Sequence, residues 1–171
     1  MEFIQTKQRT ERCVKQIMTK LSSGLEYLNS LGVAHRDIKL ENIMITTSVT
    51  KLHGEVYSPK YIDFGLSKVF LQGETSEDRY GTLAYCSPEI LKGSTHTLTT
   101  DMWSLGVIFH IILSGTVPFI STEKNEFKKN IIKGKLQLTQ PAFLKVSNDA
   151  KDLLTRMLCT DPAKRVASHL I

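Results

Sequence analysis

Between Thr10 and Leu31 the apolar residues Val14, Ile17, Met18, Leu21, Leu25 and Leu28 recur at steps of three and four, which places them on one face of an amphipathic helix. Gly32 supplies its stop. A second run, from Trp103 through Leu105, Val107, Ile108, Phe109, Ile111 and Ile112 to Leu113, is apolar on nearly every side. That pattern predicts a buried central helix, with Thr100 as its cap. Ser121 is expected to cap a helix carrying Phe127, Ile131 and Ile132 that ends at Lys133-Gly134. Ser147 begins another, through Ala150, Leu153, Leu154, Met157 and Leu158, stopped near Asp161-Pro162. Two short strand-like runs, Asn42 to Thr46 and Tyr61 to Asp63, are joined by a polar loop rich in Ser, Thr, Gly and Pro. Residues 64–87 follow neither period and read as a long functional loop. The sum is a mostly helical α+β domain with a small β element.

Composition narrows this picture without changing it. With 171 residues, 41% of them hydrophobic and 23% charged, the chain can build the core of one folded domain. The net charge of +5 is spread out; only Lys124, Lys128, Lys129, Lys133 and Lys135 form a local concentration. No stacking aromatics accompany them, so they read as a solvated helix face and no nucleic-acid partner is expected. Cys13, Cys86 and Cys159 are odd in number and far apart, which argues against a disulfide framework or a zinc site and for a reducing compartment. The apolar stretch from Leu105 to Leu113 is broken by His110 and too short to span a bilayer. No charged-then-apolar signal pattern opens the chain, so no membrane partner and cytoplasmic residence are expected.

The candidate chemistry lies in two motifs, His35-Arg36-Asp37-Ile38-Lys39-Leu40-Glu41-Asn42 and Asp63-Phe64-Gly65. They set a proton acceptor, a phosphate-binding lysine and two oxygen ligands for a hard cation in one order along the chain. Either motif alone could be a chance match. Three more follow downstream: Gly81-Thr82 and Tyr85 ahead of Ser87-Pro88-Glu89, then Asp101-Met102-Trp103-Ser104-Leu105-Gly106, then Arg165 after Asp161-Pro162. Together they resemble the eukaryotic protein kinase family, and the resemblance covers essentially the whole chain. Lys39 is similar to the Ser/Thr-specific branch. Gly106 to Gly115 with Pro118-Phe119, and Val146 to Leu158, resemble its calcium/calmodulin-dependent and calcium-dependent kinase group. No D-x-[DN]-x-[DN]-G calcium loop is present.

The resemblance implies a protein kinase-like fold acting on MgATP and a protein substrate. Asp37 would be the catalytic base, and Lys39 would neutralise charge on the transferring group. Asn42 and Asp63 would hold Mg²⁺, and Met44, with Phe64, would pack under the adenine or against the other lobe. His35 is implied to be a core residue beneath Phe64, Glu89 and Arg165 a buried ion pair, and Asp101 the holder of the catalytic-loop backbone. Ser87 stands where the family usually has Ala. Thr82 has a functional and a structural reading, both open. In the family an arginine such as Arg36 receives an activation-loop phosphate. Asp78, with Glu77, either replaces that phosphate or belongs to a solvated acidic loop. Glu41 is expected to contact basic residues ahead of the target Ser or Thr.

Residues 1–34 hold no Gly-rich phosphate loop, no strand lysine paired to a helix glutamate and no adenine hinge. The expectation is therefore a C-terminal lobe, truncated at both ends and lacking the N-terminal lobe, with weak ATP affinity and little turnover by this polypeptide alone. The alternative is a kinase-derived binding or regulatory fragment without catalysis. In either case the apolar surface around Met44 and Phe64 is expected to be partly exposed and to drive association.

Overall fold

The computed structural model describes residues 10–50 and 54–170. Among these, five α-helices pack around one core and two small two-stranded antiparallel sheets lie beside it. Helix α1 (Glu11–Ser30) starts where the periodicity places it: the Thr10 hydroxyl accepts the Cys13 N–H at 3.4 Å. Its apolar stripe of Val14, Ile17, Met18, Leu21 and Leu25 is buried. The chain leaves it through Gly32 at φ +70°, where a Cβ would stand 2.6 Å from the Phe70 carbonyl oxygen. Only glycine fits both the conformation and the approach. That approach lets the Phe70 N–H reach the Gly32 carbonyl at 2.7 Å. It also lets β1 (Val33–Ala34) pair with β4 (Lys68–Val69), joining the loop at 35–42 to the segment after Asp63.

The largest departure from the sequence pattern lies between those segments. The expected polar loop is a hairpin, β2 (Ile43–Thr50) and β3 (Gly54–Tyr61), in register from Ile43 opposite Tyr61 to Thr50 opposite Gly54. Strand β3 therefore ends at Tyr61, and Asp63 lies just beyond it. Most of β2 is solvent-facing on both sides, so no apolar-polar alternation marks it. Its Thr, Ser and Val content, favourable to strands, is the remaining signal. Lys20 on α1 ties β3 down by donating to the Tyr57 carbonyl at 2.6 Å.

One short helix follows the long loop, directly ahead of the central one. Helix α2 (Pro88–Lys92), which no periodicity foretold, opens on a proline, and α3 (Thr99–Ser114) is buried along almost its whole length. The Thr100 cap is not observed. Leu98 holds the cap position, and Thr100 lies inside the first turn, where its hydroxyl donates back to the Thr97 carbonyl at 3.0 Å. The Ser121 cap also fails: α4 (Lys124–Lys133) begins after Glu123, and the Ser121 hydroxyl instead accepts the Glu123 N–H in a local turn. Helix α5 (Asn148–Met157) is capped as expected, by Ser147 accepting the Ala150 N–H at 3.2 Å. Gly106 on α3 permits close packing there, since a Cβ would lie 3.0 Å from both Met157 and Leu158. No described helix is long and apolar enough to cross a membrane.

Candidate active site

The loop at 35–42 is held from beneath. Asp101, at the start of α3 and 1% exposed, accepts the His35 N–H at 2.6 Å and the Arg36 N–H at 2.9 Å. Burial pushes its carboxyl above the ordinary range against the pull of these two donors. The hydrogen bonds hold Arg36 at φ +69°, a left-handed conformation that costs a residue with a Cβ about 1–2 kcal/mol. The His35 ring is fully buried between Phe64, 4.6 Å away centre to centre, and Tyr61, at 5.8 Å. Its Nε2–H donates to the Ile62 carbonyl at 3.1 Å and its Nδ1 accepts the Asp37 N–H at 3.4 Å, so both nitrogens are occupied structurally.

The turn leaves the Asp37 carboxylate at the centre of a polar cluster. Its Oδ2 accepts from Lys39 Nζ at 2.7 Å and from Asn42 Nδ2 at 3.0 Å, while its Oδ1 accepts from the Thr82 hydroxyl at 3.3 Å. Lys39 also reaches Thr82, at 3.4 Å. Its hydrogen bond to Asp37 raises the Lys39 pKa above the usual lysine range, so it stays charged. Asn42 spends its amide hydrogens on Asp37, including the backbone carbonyl at 2.9 Å, which leaves its Oδ1 available.

Asp63 lies outside that cluster but is positioned from it, because the Ile62 N–H donates to the Asn42 carbonyl at 3.0 Å. It sits at φ +62°, exposed, with Oδ1 accepting the Gly65 N–H at 3.2 Å. A Cβ at Gly65 would come to 3.2 Å from that same oxygen. The Asn42 and Asp63 oxygens are hard donors of the type Mg²⁺ takes, usually alongside water and substrate phosphate. Met44 and Phe64, at 52% and 44% exposed, border this region together with Leu66 at 43%. Glu41 is exposed and forms no ion pair among the described residues, though its charge acts on the neighbouring Tyr85 phenol after burial has raised it.

Behind the loop, Arg36 gathers the segment at 66–80. Its Nε donates to the Leu66 carbonyl at 2.6 Å, its Nη1 pairs with Asp78 at 3.1 Å, and its guanidinium lies 4.4 Å over the Tyr80 ring. The Ser76 hydroxyl donates to the same Asp78 oxygen at 2.7 Å, and Lys68 approaches it at 3.9 Å while pairing with Glu74 at 3.3 Å. Ser76 and then Arg36 hold the Asp78 carboxyl below its ordinary range. Glu77 is exposed and takes no part in these contacts. Ser76, Tyr80 and Lys68 had no motif to reveal them; the bend that collects them is visible only in three dimensions.

In the core, Glu89 and Arg165 form a buried bidentate pair, at 2.7 and 2.9 Å. Arg165 also donates to the carbonyls of Thr99 at 2.9 Å and Cys159 at 3.0 Å. Burial alone would raise the Glu89 carboxyl, but the guanidinium prevails and holds it below the ordinary range. Cys86, buried beside Asp37 with its thiol donating to the Tyr80 carbonyl at 3.3 Å, is pushed up to about 11 by burial and so stays protonated.

Residues 1–171 match the protein kinase domain family. The chain is 36% identical over 156 residues to a probable myosin light chain kinase of Dictyostelium discoideum, covering 91% of this chain and 43% of that protein. It is 36% identical over 168 residues to calcium-dependent protein kinase 4 of Plasmodium falciparum, covering 98% and 31%. To serine/threonine-protein kinase H1 of Homo sapiens it is 35% identical over 162 residues, covering 93% and 37%. The chain thus spans between about a third and somewhat under half of these relatives.

Proposed function

The chain belongs to the protein kinase family, Ser/Thr type, and from that membership we propose that it transfers the γ-phosphoryl group of MgATP to Ser/Thr hydroxyls of protein substrates. The observation that carries the reading is Asp37 held simultaneously by Lys39, Asn42 and Thr82. A carboxylate so placed orients an incoming hydroxyl and takes its proton at an Asp37 oxygen as the new O–P bond forms and the bond from the γ-phosphorus to the bridging oxygen breaks, ADP leaving with that oxygen. Lys39, kept charged by Asp37, offsets the negative charge gathering on the transferring oxygens. Asn42 Oδ1 and Asp63 would hold Mg²⁺, whose chemistry is to neutralise and orient the nucleotide phosphates. Glu41, exposed two residues after Lys39, is the residue we assign to contact basic side chains ahead of the target hydroxyl.

Arg36 and Asp78 suit a loop whose ordering needs no added phosphate, since the carboxylate already takes the guanidinium at 3.1 Å. The exposed Met44, Phe64 and Leu66 favour association through that face, and with it a second reading, a binding module that captures partners without phosphorylating them. The test is incorporation of labelled phosphate from ATP into Ser/Thr peptides with upstream basic residues. We expect Asp37→Asn to lower it by about 10²–10⁴-fold, and Asp63→Asn to lower it with a raised Mg²⁺ requirement. Incorporation that survives Asp37→Asn overturns the catalytic reading; partner capture by the intact chain with no incorporation favours the module.

A further inference from the structure

The chemistry above uses none of the lysines at 124–135, and their surroundings are not uniform. Lys129 pairs with Glu126 at 3.7 Å on the outer face of α4. Lys133 and Lys135 have no carboxylate partner among the described residues. With Asn130, Gln137 and Gln140 they line a cavity of about 250 Å³ that no Asp or Glu enters. His110 of α3, 3% exposed, reaches the same cavity from the core side.

The imidazole there has a defined tautomer. Nδ1 lies 2.8 Å from the Thr116 carbonyl, which can only accept, so Nδ1 carries the hydrogen and Nε2 presents a lone pair. Nε2 has no hydrogen-bond partner among the described residues and is not sealed off from solvent space. Burial holds His110 below its ordinary pKa, which keeps that lone pair available. The amides are oriented as well. Asn130 Nδ2 gives one hydrogen to the Ile120 carbonyl and Gln140 Nε2 gives one to Gln137 Oε1, so Gln137 is fixed through its oxygen and retains its own amide hydrogens as donors. The end of α4 would oppose an anion, but its Asn130 and Ile131 carbonyls are already capped by the Gly134 N–H.

Two cationic donors and an amide donor facing a hydrogen-bond acceptor describe an anion that still carries a proton. A carboxylate or a sulfate at neutral pH has none to offer, and would set its own lone pairs against Nε2. A phosphate group, with its second pKa near ~6, has one for part of the time. We propose that this cavity binds a phosphate group, with Lys133 and Lys135 supplying the charge and His110 Nε2 accepting the acidic P–OH hydrogen. Lysine serves as a point-charge phosphate binder in such a site. The group can arrive on a phosphorylated peptide or on a small molecule, and the site chemistry is the same for both.

The experiment follows the His110 ring ¹⁵N signals of the chain at pH 6.5 and constant ionic strength. Inorganic phosphate, sulfate, a phosphoserine peptide and its unphosphorylated form are each titrated. A saturable response to phosphate is expected, at least about tenfold tighter than to sulfate and weakened about tenfold in Lys133→Gln/Lys135→Gln. Both replaced side chains are exposed, so that variant should fold. A circular dichroism spectrum checks this, and His110→Phe adds a second arm read by phosphorus NMR. Tighter binding of the phosphopeptide than of inorganic phosphate assigns a protein source; no gain assigns a small molecule. An unsaturable His110 response, equal affinity for sulfate, equal affinity of the unphosphorylated peptide, or insensitivity to the lysine replacements would overturn the proposal.

Discussion

Removing Arg165 alone should destabilise the chain more than removing the pair together. Arg165 is 5% and Glu89 4% exposed, and no described cation other than Arg165 bonds to the Glu89 carboxylate. Arg165→Met therefore strands a carboxylate in the core and releases the Thr99 and Cys159 carbonyls, for an expected loss of about 3–5 kcal/mol. In a domain of this size that is a fall of about 6–20 °C in Tm. Glu89→Leu/Arg165→Met strands no charge and should recover at least about 1 kcal/mol of the loss. The assay is urea unfolding of the wild type, both single variants and the double, at pH 7. Because Glu89 is held below its unfolded value, its contribution is present above the ordinary carboxylate range. That contribution disappears as pH falls through the lowered, folded value. A single variant within about 1 kcal/mol of wild type, or a double variant worse than the sum of the singles, would refute the reasoning.

Gly32→Ala forces a Cβ to 2.6 Å from the Phe70 carbonyl at φ +70°, so unfolding should shift by about 2 kcal/mol or more; an unchanged midpoint would contradict the close approach. Asp78→Ala should speed amide exchange at residues 74–80, and in the wild type that protection should be lost as pH falls through the lowered Asp78 value. Equal exchange in both proteins would leave Asp78 as an ordinary solvated carboxylate. Glu41→Lys is expected to reduce incorporation into peptides with upstream basic residues by about fivefold or more relative to neutral ones, and an unaltered preference would remove Glu41 from recognition. Met44→Gln, at a position 52% exposed, should lower self-association as read by light scattering, and unchanged scattering would remove that face from association.

What could be read from the chain followed how strongly each residue is constrained from one side. Helix α1 was legible to within a residue because one apolar face is buried along its length. The β2–β3 hairpin was not, because strands that face water on both sides need no alternation. The caps at Thr100 and Ser121 misled for a common reason. Each hydroxyl takes a local backbone partner that is not a free helix N–H: Thr100 donates back to the Thr97 carbonyl, and Ser121 accepts the Glu123 N–H ahead of the helix. At the site, motif spacing located Asp37, Lys39, Asn42 and Asp63, and the resemblance pointed to Arg36 and Asp78. Ser76, Lys68 and Tyr80 were invisible, since their meeting at Asp78 and Arg36 depends on a turn with no period of its own.

Asp37 is placed by contacts from segments distant in sequence, and those contacts are not independent. Asp101 fixes the backbone ahead of it, and Thr82 reaches it from the segment at 80–86. That segment rests on α3 through Ser104, which donates to the Tyr85 carbonyl at 2.8 Å, and through Tyr80 and Thr100, 3.2 Å apart. Both supports originate on α3, whose first turn is held by Arg165 at the Thr99 carbonyl. Loss of the Glu89–Arg165 pair should therefore be felt at Asp37 as misplacement before it is felt as unfolding. Positioning errors near 1 Å are expensive in a reaction that relies on orientation and fixed charge, costing on the order of 10²-fold. The core pair and the polar cluster share no residue, yet α3 makes them parts of one mechanical unit.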